Sequence, residues 1–259
     1  VVKIAEVDGS QISFGSEYSF NSATKYVSLA KLSDDKFVIS YQDEGNNGYG
    51  TTVIGTVSGQ TVSWSDDQVF SSINTTQTEV VALSGEKIMV AYRTNNGTSA
   101  KIGQISGNSI SFSDDHLFSS VQPDDLELLV LTNEKVVMAS ADSMYGGRLK
   151  IADVNGDQIS FGINQIFNQA DTNYISLDKI SDSKIVISYQ DSGNNGYGAT
   201  LTGTVSDKTV SFSNEQIFNP NLTKHVGVSM CDSNRLVVAY NDYNYSKYGG
   251  AIAAEIGDN

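Results

Sequence analysis

An aromatic residue, five intervening residues and then phenylalanine recur along this chain, as Phe14/Phe20, Trp64/Phe70, Phe112/Phe118, Phe161/Phe167 and Phe212/Phe218. The period is roughly 49 residues, the length class of four-stranded repeat architectures. It constrains the fold more than any other feature, because no such unit buries its apolar face alone. A second marker runs in phase with it: YQDEGNNGYG at 41–50 returns as YQDSGNNGYG at 189–198.

Each repeat reads as four short strands. The first ends at Leu32, Leu83, Leu131, Ile180 and Cys231, before a polar turn. The second is β-branched and apolar, as FVISY, IMVAY, VVMAS, IVISY and LVVAY, which suits a buried strand. The third carries a small residue at Gly55, Gly103, Ala152, Gly203 and Ala254, where another backbone approaches closely. The fourth (TVSW, SISF, QISF, TVSF) follows through short hairpin turns. No stretch has the 3.6-residue apolar period of a helix.

The chain opens with third- and fourth-type strands, VVKIAEVDG and QISF, and closes with a first, a second and a third. The expectation is therefore an all-β chain, a single five-bladed β-propeller domain over residues 1–259. Its blades are four-stranded and antiparallel, and the N-terminal strands complete the last blade, so that strands from both termini close the ring. One third-type strand, Lys3–Val7 or Ala251–Ile256, is then surplus. The abrupt start in a strand reads as a mature or excised piece of a longer product.

The formal net charge of −14 opposes binding to nucleic acid or to an anionic membrane surface. No run is long and apolar enough to insert in a membrane. The acidity suits solubility outside the cell, and an extracellular or cell-surface location is expected. Cys231 is the one cysteine, so no intrachain disulfide forms, and it reads as a small buried hydrophobe.

This pattern resembles the β-propeller repeat proteins and, in repeat length and blade number, the five-bladed propeller lectins of the tachylectin type. The resemblance spans the chain and is architectural; the tryptophan-rich motifs of that lectin family are absent. It implies a ring of blades, a central channel and a carbohydrate ligand, and it carries over no binding residue.

In an antiparallel meander the long connections share one face, and loops on a rigid scaffold are where function concentrates. Three sets of residues stand there. Tyr41-Gln42-Asp43, Tyr189-Gln190-Asp191 and Tyr240-Asn241-Asp242 end the second strand; Tyr49, Tyr197 and Tyr248 lie in the loop; Tyr26, Gln77, Asp125, Tyr174 and His225 enter the first strand. Such side chains offer hydrogen bonds to sugar hydroxyls and an aromatic face to a C–H patch. The ligand-binding candidates are Tyr26, Gln42, Asp43, Tyr49, Tyr174, Gln190, Asp191, Tyr197, Asp242 and Tyr248. The same tyrosines also suit packing between blades, with the hydroxyl capping a neighbouring loop, and the aspartates suit an Asx turn in their own loop. Calcium would need more carboxylates than the one at a ligand-like place in DSGNNG, so no metal or cofactor is expected.

The reading from sequence is a non-catalytic, lectin-like, multivalent binding module, with glycans or glycoproteins as partners. The alternative is a structural spacer, adhesin or filament subunit that contacts further copies of itself. Glycoside hydrolysis ranks third, because acidic positions mostly recur from blade to blade, whereas a catalytic pair of carboxylates breaks internal symmetry.

Overall fold

The computed structural model describes residues 1–142, 144–244 and 248–257. It forms two compact units, Val1–Val121 and Gln122–Asn259. In the first, β1 (Val2–Asp8) and β2 (Gln11–Tyr18) make a two-stranded sheet. The first repeat is β3 (Thr24–Lys31), β4 (Lys36–Asp43), β5 (Tyr49–Ser58), β6 (Thr61–Trp64) and β7 (Gln68–Asn74). The second is β8 (Thr76–Ser84), β9 (Lys87–Thr94), β10 (Gly97–Ser106), β11 (Ser109–Phe112) and β12 (His116–Ser119).

The second unit holds the third repeat, as β13 (Asp125–Thr132), β14 (Lys135–Asp142), β15 (Gly146–Asn155), β16 (Gln158–Phe161) and β17 (Gln165–Asn168). The fourth is β18 (Thr172–Ser181), β19 (Lys184–Asp191), β20 (Tyr197–Ser206), β21 (Thr209–Phe212) and β22 (Gln216–Asn219). The fifth is β23 (Thr223–Met230), β24 (Arg235–Asp242) and β25 (Tyr248–Glu255), a sheet of their own. The all-β class and the antiparallel repeat sheets are as the sequence predicts. Gln11–Tyr18, expected to complete the last blade, is paired with β1.

The four-strand expectation needs one correction. A short fifth strand (β7, β12, β17 or β22) pairs with the third strand of its repeat. The cause is a difference in length. β5 is ten residues long, and β6 covers only Gly55–Ser58. The chain then turns and β7 covers the rest, at Tyr49–Thr52. At the break the Ser65 hydroxyl accepts from the Ile54 amide at 2.9 Å, and Ser113 and Ser213 repeat this with Ile102 and Thr202, both at 3.0 Å. A serine after the aromatic thus satisfies an amide that would otherwise be orphaned in the ladder.

The aromatic marker is the seam between sheets. Phe20 lies 5.3 Å from the Tyr41 ring and 5.7 Å from Trp64, so Trp64 is a packing residue. Phe70 meets Tyr92 and Phe112 at 5.0 and 5.8 Å, and Phe167 meets Tyr189 and Phe212 at 5.2 and 6.3 Å. Each phenylalanine is held between a tyrosine and an aromatic of the following repeat. Glycine makes room for it: a Cβ at Gly50 or Gly198 would stand 2.3 or 2.4 Å from the ring of Phe70 or Phe218.

The leading strands of successive repeats are linked by side chains. Ser28 Oγ accepts from Val80 N at 3.1 Å, Asp125 Oδ2 from Ile175 N at 2.6 Å, Ser176 Oγ from Val228 N at 3.1 Å and Asp178 Oδ2 from Met230 N at 2.6 Å. Cys231 departs from its expected burial. It is exposed on the wall of a cleft with Arg235, Leu236 and Ala253, whereas its repeat equivalents Leu83 and Leu131 are buried.

Candidate functional site

The repeated loop is largely self-satisfied. Asp43 caps a single 3-10 turn over Glu44–Asn46, its Oδ1 accepting from Gly45 N at 3.0 Å. Asp191 does the same with Gly193 N at 3.0 Å and also accepts from Asn168 Nδ2 at 3.0 Å. Gln42, Asp43, Gln190 and Asp191 are buried. Asp242 is half-buried and accepts from Asn221 Nδ2 and Asn244 N. Tyr49 and Tyr197 are half-buried, and Tyr248 is exposed. The loop's capping aspartates are engaged by its own backbone amides. The third copy of this loop includes Ser143, which lies outside the described residues.

The tyrosines that end the second strands are core groups. Tyr41 donates to Asp67 Oδ1 at 2.8 Å, Tyr92 to Asp115 and Tyr189 to Glu215. Burial, reinforced by the carboxylate acceptor, holds all three phenols well above their ordinary pKa.

The third set behaves differently. In the first repeat the β3–β4 ladder passes from Lys25↔Gln42 to Ser28↔Ser40, so Tyr26 and Val27 together oppose Tyr41. The same two-against-one bulge occurs at Gln77 and Thr78, at Tyr174 and Ile175, and at His225 and Val226. Its first residue is left-handed each time: φ is 50° at Tyr26, 50° at Gln77, 53° at Tyr174 and 51° at His225. An L-residue there carries roughly 1–2 kcal/mol of strain. Strain of this kind gathers at functional sites, where it aims a side chain. Tyr174 and His225 are aimed at each other, ring centroids 4.9 Å apart and 49° between planes.

The third repeat has no bulge at this position. Asp125↔Ala141, Leu126↔Ser140 and Glu127↔Ala139 run without interruption. Ser140 replaces the tyrosine, and Asn164 stands where Asp67, Asp115 and Glu215 accept its hydroxyl. The unbulged strand puts Asp125 and Glu127 on one face, because side chains alternate along a strand. Residues two apart are roughly 6.6 Å apart along the strand. The half-buried Asp125 accepts from Ile175 N at 2.6 Å and from its neighbour Leu126 N at 3.1 Å. Its carboxyl is raised above its ordinary pKa: burial outweighs these two amides, and Asp124 adds like charge.

In the second unit, then, a carboxylate pair and an aromatic pair stand on consecutive leading strands. Tyr174, Asp125 and His225 all belong to the strand-entering set read from sequence, of which only Tyr26 and Tyr174 are ligand-binding candidates, and Glu127 is in no set. The signal was present in the column of repeat positions. Ser28, Glu79, Glu127, Ser176 and Gly227 share one position, and Tyr26, Gln77, Asp125, Tyr174 and His225 another. Acidic residues enter these columns irregularly, unlike those of the loop. Among the described residues no cluster of three or more His, Cys, Asp or Glu is arranged to hold a metal ion.

No protein-family model matches the sequence, and no curated protein matches it. Solved structures do match in fold. The NanB sialidase of Streptococcus pneumoniae aligns with a TM-score of 0.55 and 14% identity, over 81% of this chain and 36% of that one. An exo-β-1,3-galactanase of Phanerochaete chrysosporium gives 0.53 and 9%, over 98% of this chain and 65% of that one. A putative exo-β-1,3-galactanase of Bifidobacterium bifidum gives 0.51 and 9%, over 90% and 88%. The chain thus spans about a third of the sialidase and just under two thirds of the Phanerochaete enzyme.

These likenesses define the class as a β-propeller repeat fold. They also correct the functional expectation. The non-catalytic, lectin-like module and its spacer alternative give way, because the matching folds are those of glycosidases. The premise of the non-catalytic reading is weakened too, since Asp125 is the one acidic residue in its column and so breaks the internal symmetry that the loop acids keep.

Proposed function

We propose that this chain is a glycan-acting protein of the glycoside hydrolase class, with Asp125 and Glu127 as its carboxylate pair. One observation carries the reading: in the one described repeat whose leading strand lacks the bulge opposite the end of the second strand, Asp125 and Glu127 stand two residues apart on one strand face, a pair of carboxyl groups of the kind glycosidases use. Asp125, its carboxyl raised by burial, is the proton donor. It delivers its proton to the glycosidic oxygen as the bond to the anomeric carbon breaks. Glu127 takes a proton from the water whose oxygen bonds to that carbon, and solvent exchange resets both groups. Tyr174 and His225 offer the aromatic surface for the sugar's C–H face.

The test is release of product from aryl galactosides, aryl sialosides and β-1,3-linked galactan, substrates suggested by the fold neighbours. Asp125→Asn and Glu127→Gln should each lower kcat/KM by about 100-fold or more, with thermal unfolding unchanged within a few degrees. Absence of turnover on all three substrate classes, or an Asp125→Asn variant within twofold of the parent, would overturn the assignment.

A further inference from the structure

One backbone donor of the second unit lacks the partner that its neighbours have. Along β23 the amides of Val226, Val228 and Met230 follow at a spacing of two, and amides two apart on a strand point to the same edge. The fourth repeat takes two of them. Ser176 Oγ accepts from Val228 N at 3.1 Å and Asp178 Oδ2 from Met230 N at 2.6 Å, each acceptor 52 residues earlier in the chain. The residue at the same interval before Val226 is Tyr174, whose ring is turned onto His225. Val226 lies inside the bulge, where the ladder passes from Lys224↔Asn241 to Gly227↔Ala239. Among the described residues no side chain accepts from its amide. The amide at the same point of the fourth repeat shows what such a donor takes: Ile175 N is bonded to the carboxylate of Asp125 at 2.6 Å. Val226 is half-buried, and an acceptor supplied by a ligand would recover the cost of leaving its amide unpaired.

The charge beside this donor has the sign that a carboxylate needs. Across the second unit the two residues entering each leading strand change from Asp124-Asp125 to Asn173-Tyr174 to Lys224-His225. In the first repeat the lysine of this column, Lys25, is paired with Glu44 at 2.6 Å. In the fifth, Tyr243 stands in place of Glu44. The Lys224 ammonium lies over the Tyr243 ring, 4.2 Å from its centroid, and has no carboxylate partner among the described residues. His225 is exposed. In a chain of net charge −14, an unmatched ammonium next to an unmatched amide is a local exception. Ammonium, imidazole and backbone N–H are donors that hold a carboxylate through charge-assisted hydrogen bonds.

We propose that the Val226 amide, with Lys224 and His225, seats the carboxylate of an acidic sugar residue that lies on the Tyr174–His225 surface. This rests on the hydrolase reading for the place of the glycan, and it narrows the substrate to glycans that carry a carboxylate. The test is an NMR titration of the isotope-labelled whole chain with methyl glucuronide and methyl sialoside, each beside its own methyl ester. At least one acid should shift the Val226 amide resonance and bind about tenfold or more tightly than its ester. Lys224→Gln should reduce that preference severalfold. Tyr174→Asp sets a carboxylate before Val226 as Asp178 is set before Met230, at a left-handed position that aspartate tolerates. It should fill the seat from within and abolish the preference, whereas Tyr174→Phe should keep it. Failure of both acids to bind, equal binding of acid and ester, or a Val226 resonance unmoved at saturation would overturn the proposal. Binding of an acid without turnover of any substrate would uphold this seat and remove the hydrolase assignment. Turnover of neutral substrates with equal binding of acid and ester would do the reverse.

Discussion

The third and fourth repeats lie in one unit, share a core and differ in almost everything else. Leu131, Val137 and Leu149 of the third pack with Ile175, Ile187 and Leu201 of the fourth in a single cluster. The fourth keeps the buried Tyr189, its acceptor Glu215, the left-handed Tyr174 opposite it and the loop capped by Asp191. The third has Ser140 and Asn164 and a ladder that runs unbulged through Asp125–Glu127. Tyrosine and bulge are lost together, so they form one device. The apolar ladder makes the sheet, and the device sets how the leading strand is aimed. Where the device is released, the half-buried carboxyl of Asp125 takes its place.

Three changes test that contrast. The largest effect is expected from Tyr189→Ser, which imports the third repeat's residue without its straight strand. Loss of a fully buried aromatic should cost about 3–5 kcal/mol in chemical denaturation. A cost below about 1 kcal/mol would mean that the bulge does not depend on the tyrosine. The second is alkaline stability. Tyr41, Tyr92 and Tyr189 have raised folded-state pKa values, so their contribution is complete below the unfolded value of about 10 and is lost as pH rises above it. Each should subtract about 1.4 kcal/mol per pH unit in that window. Tyr189→Phe should remove one such share from the measured slope; an unchanged slope would show that Tyr189 ionises freely in the folded chain. The smallest effect is Asp191→Ala, which removes the loop's cap and should cost about 1 kcal/mol.

Much of the fold was legible because the period is enforced by packing. The aromatic marker recurs because it packs against rings of the next repeat, two of them for Phe20, Phe70 and Phe167. The inter-blade tyrosine and the Asx-type cap were both readable from residue type, as alternatives to a binding role. The bulges were not. Left-handed positions are usually announced by Gly or Asn, and here Tyr, Gln, Tyr and His occupy them. The carboxylate pair was hidden for another reason: Asp125 is only one member of a mixed column, and Glu127 stands one alternation further along the strand, a pairing that shows only where the bulge is missing. The short fifth strands follow from a mismatch in strand length that no local pattern marks.

The bonds that run from one leading strand to an amide of the next have a mechanical consequence. A ladder resists shear because its bonds load together, whereas links such as Asp178 to Met230 and Ser176 to Val228 load nearly alone. Under tension the second unit is expected to yield at the seams, one repeat at a time. A repeat that has parted and then unravels releases roughly 49 residues, a contour step of about 16–18 nm at full extension. The toughness of the chain is thus set by its joints, and its sheets behave as the units that part.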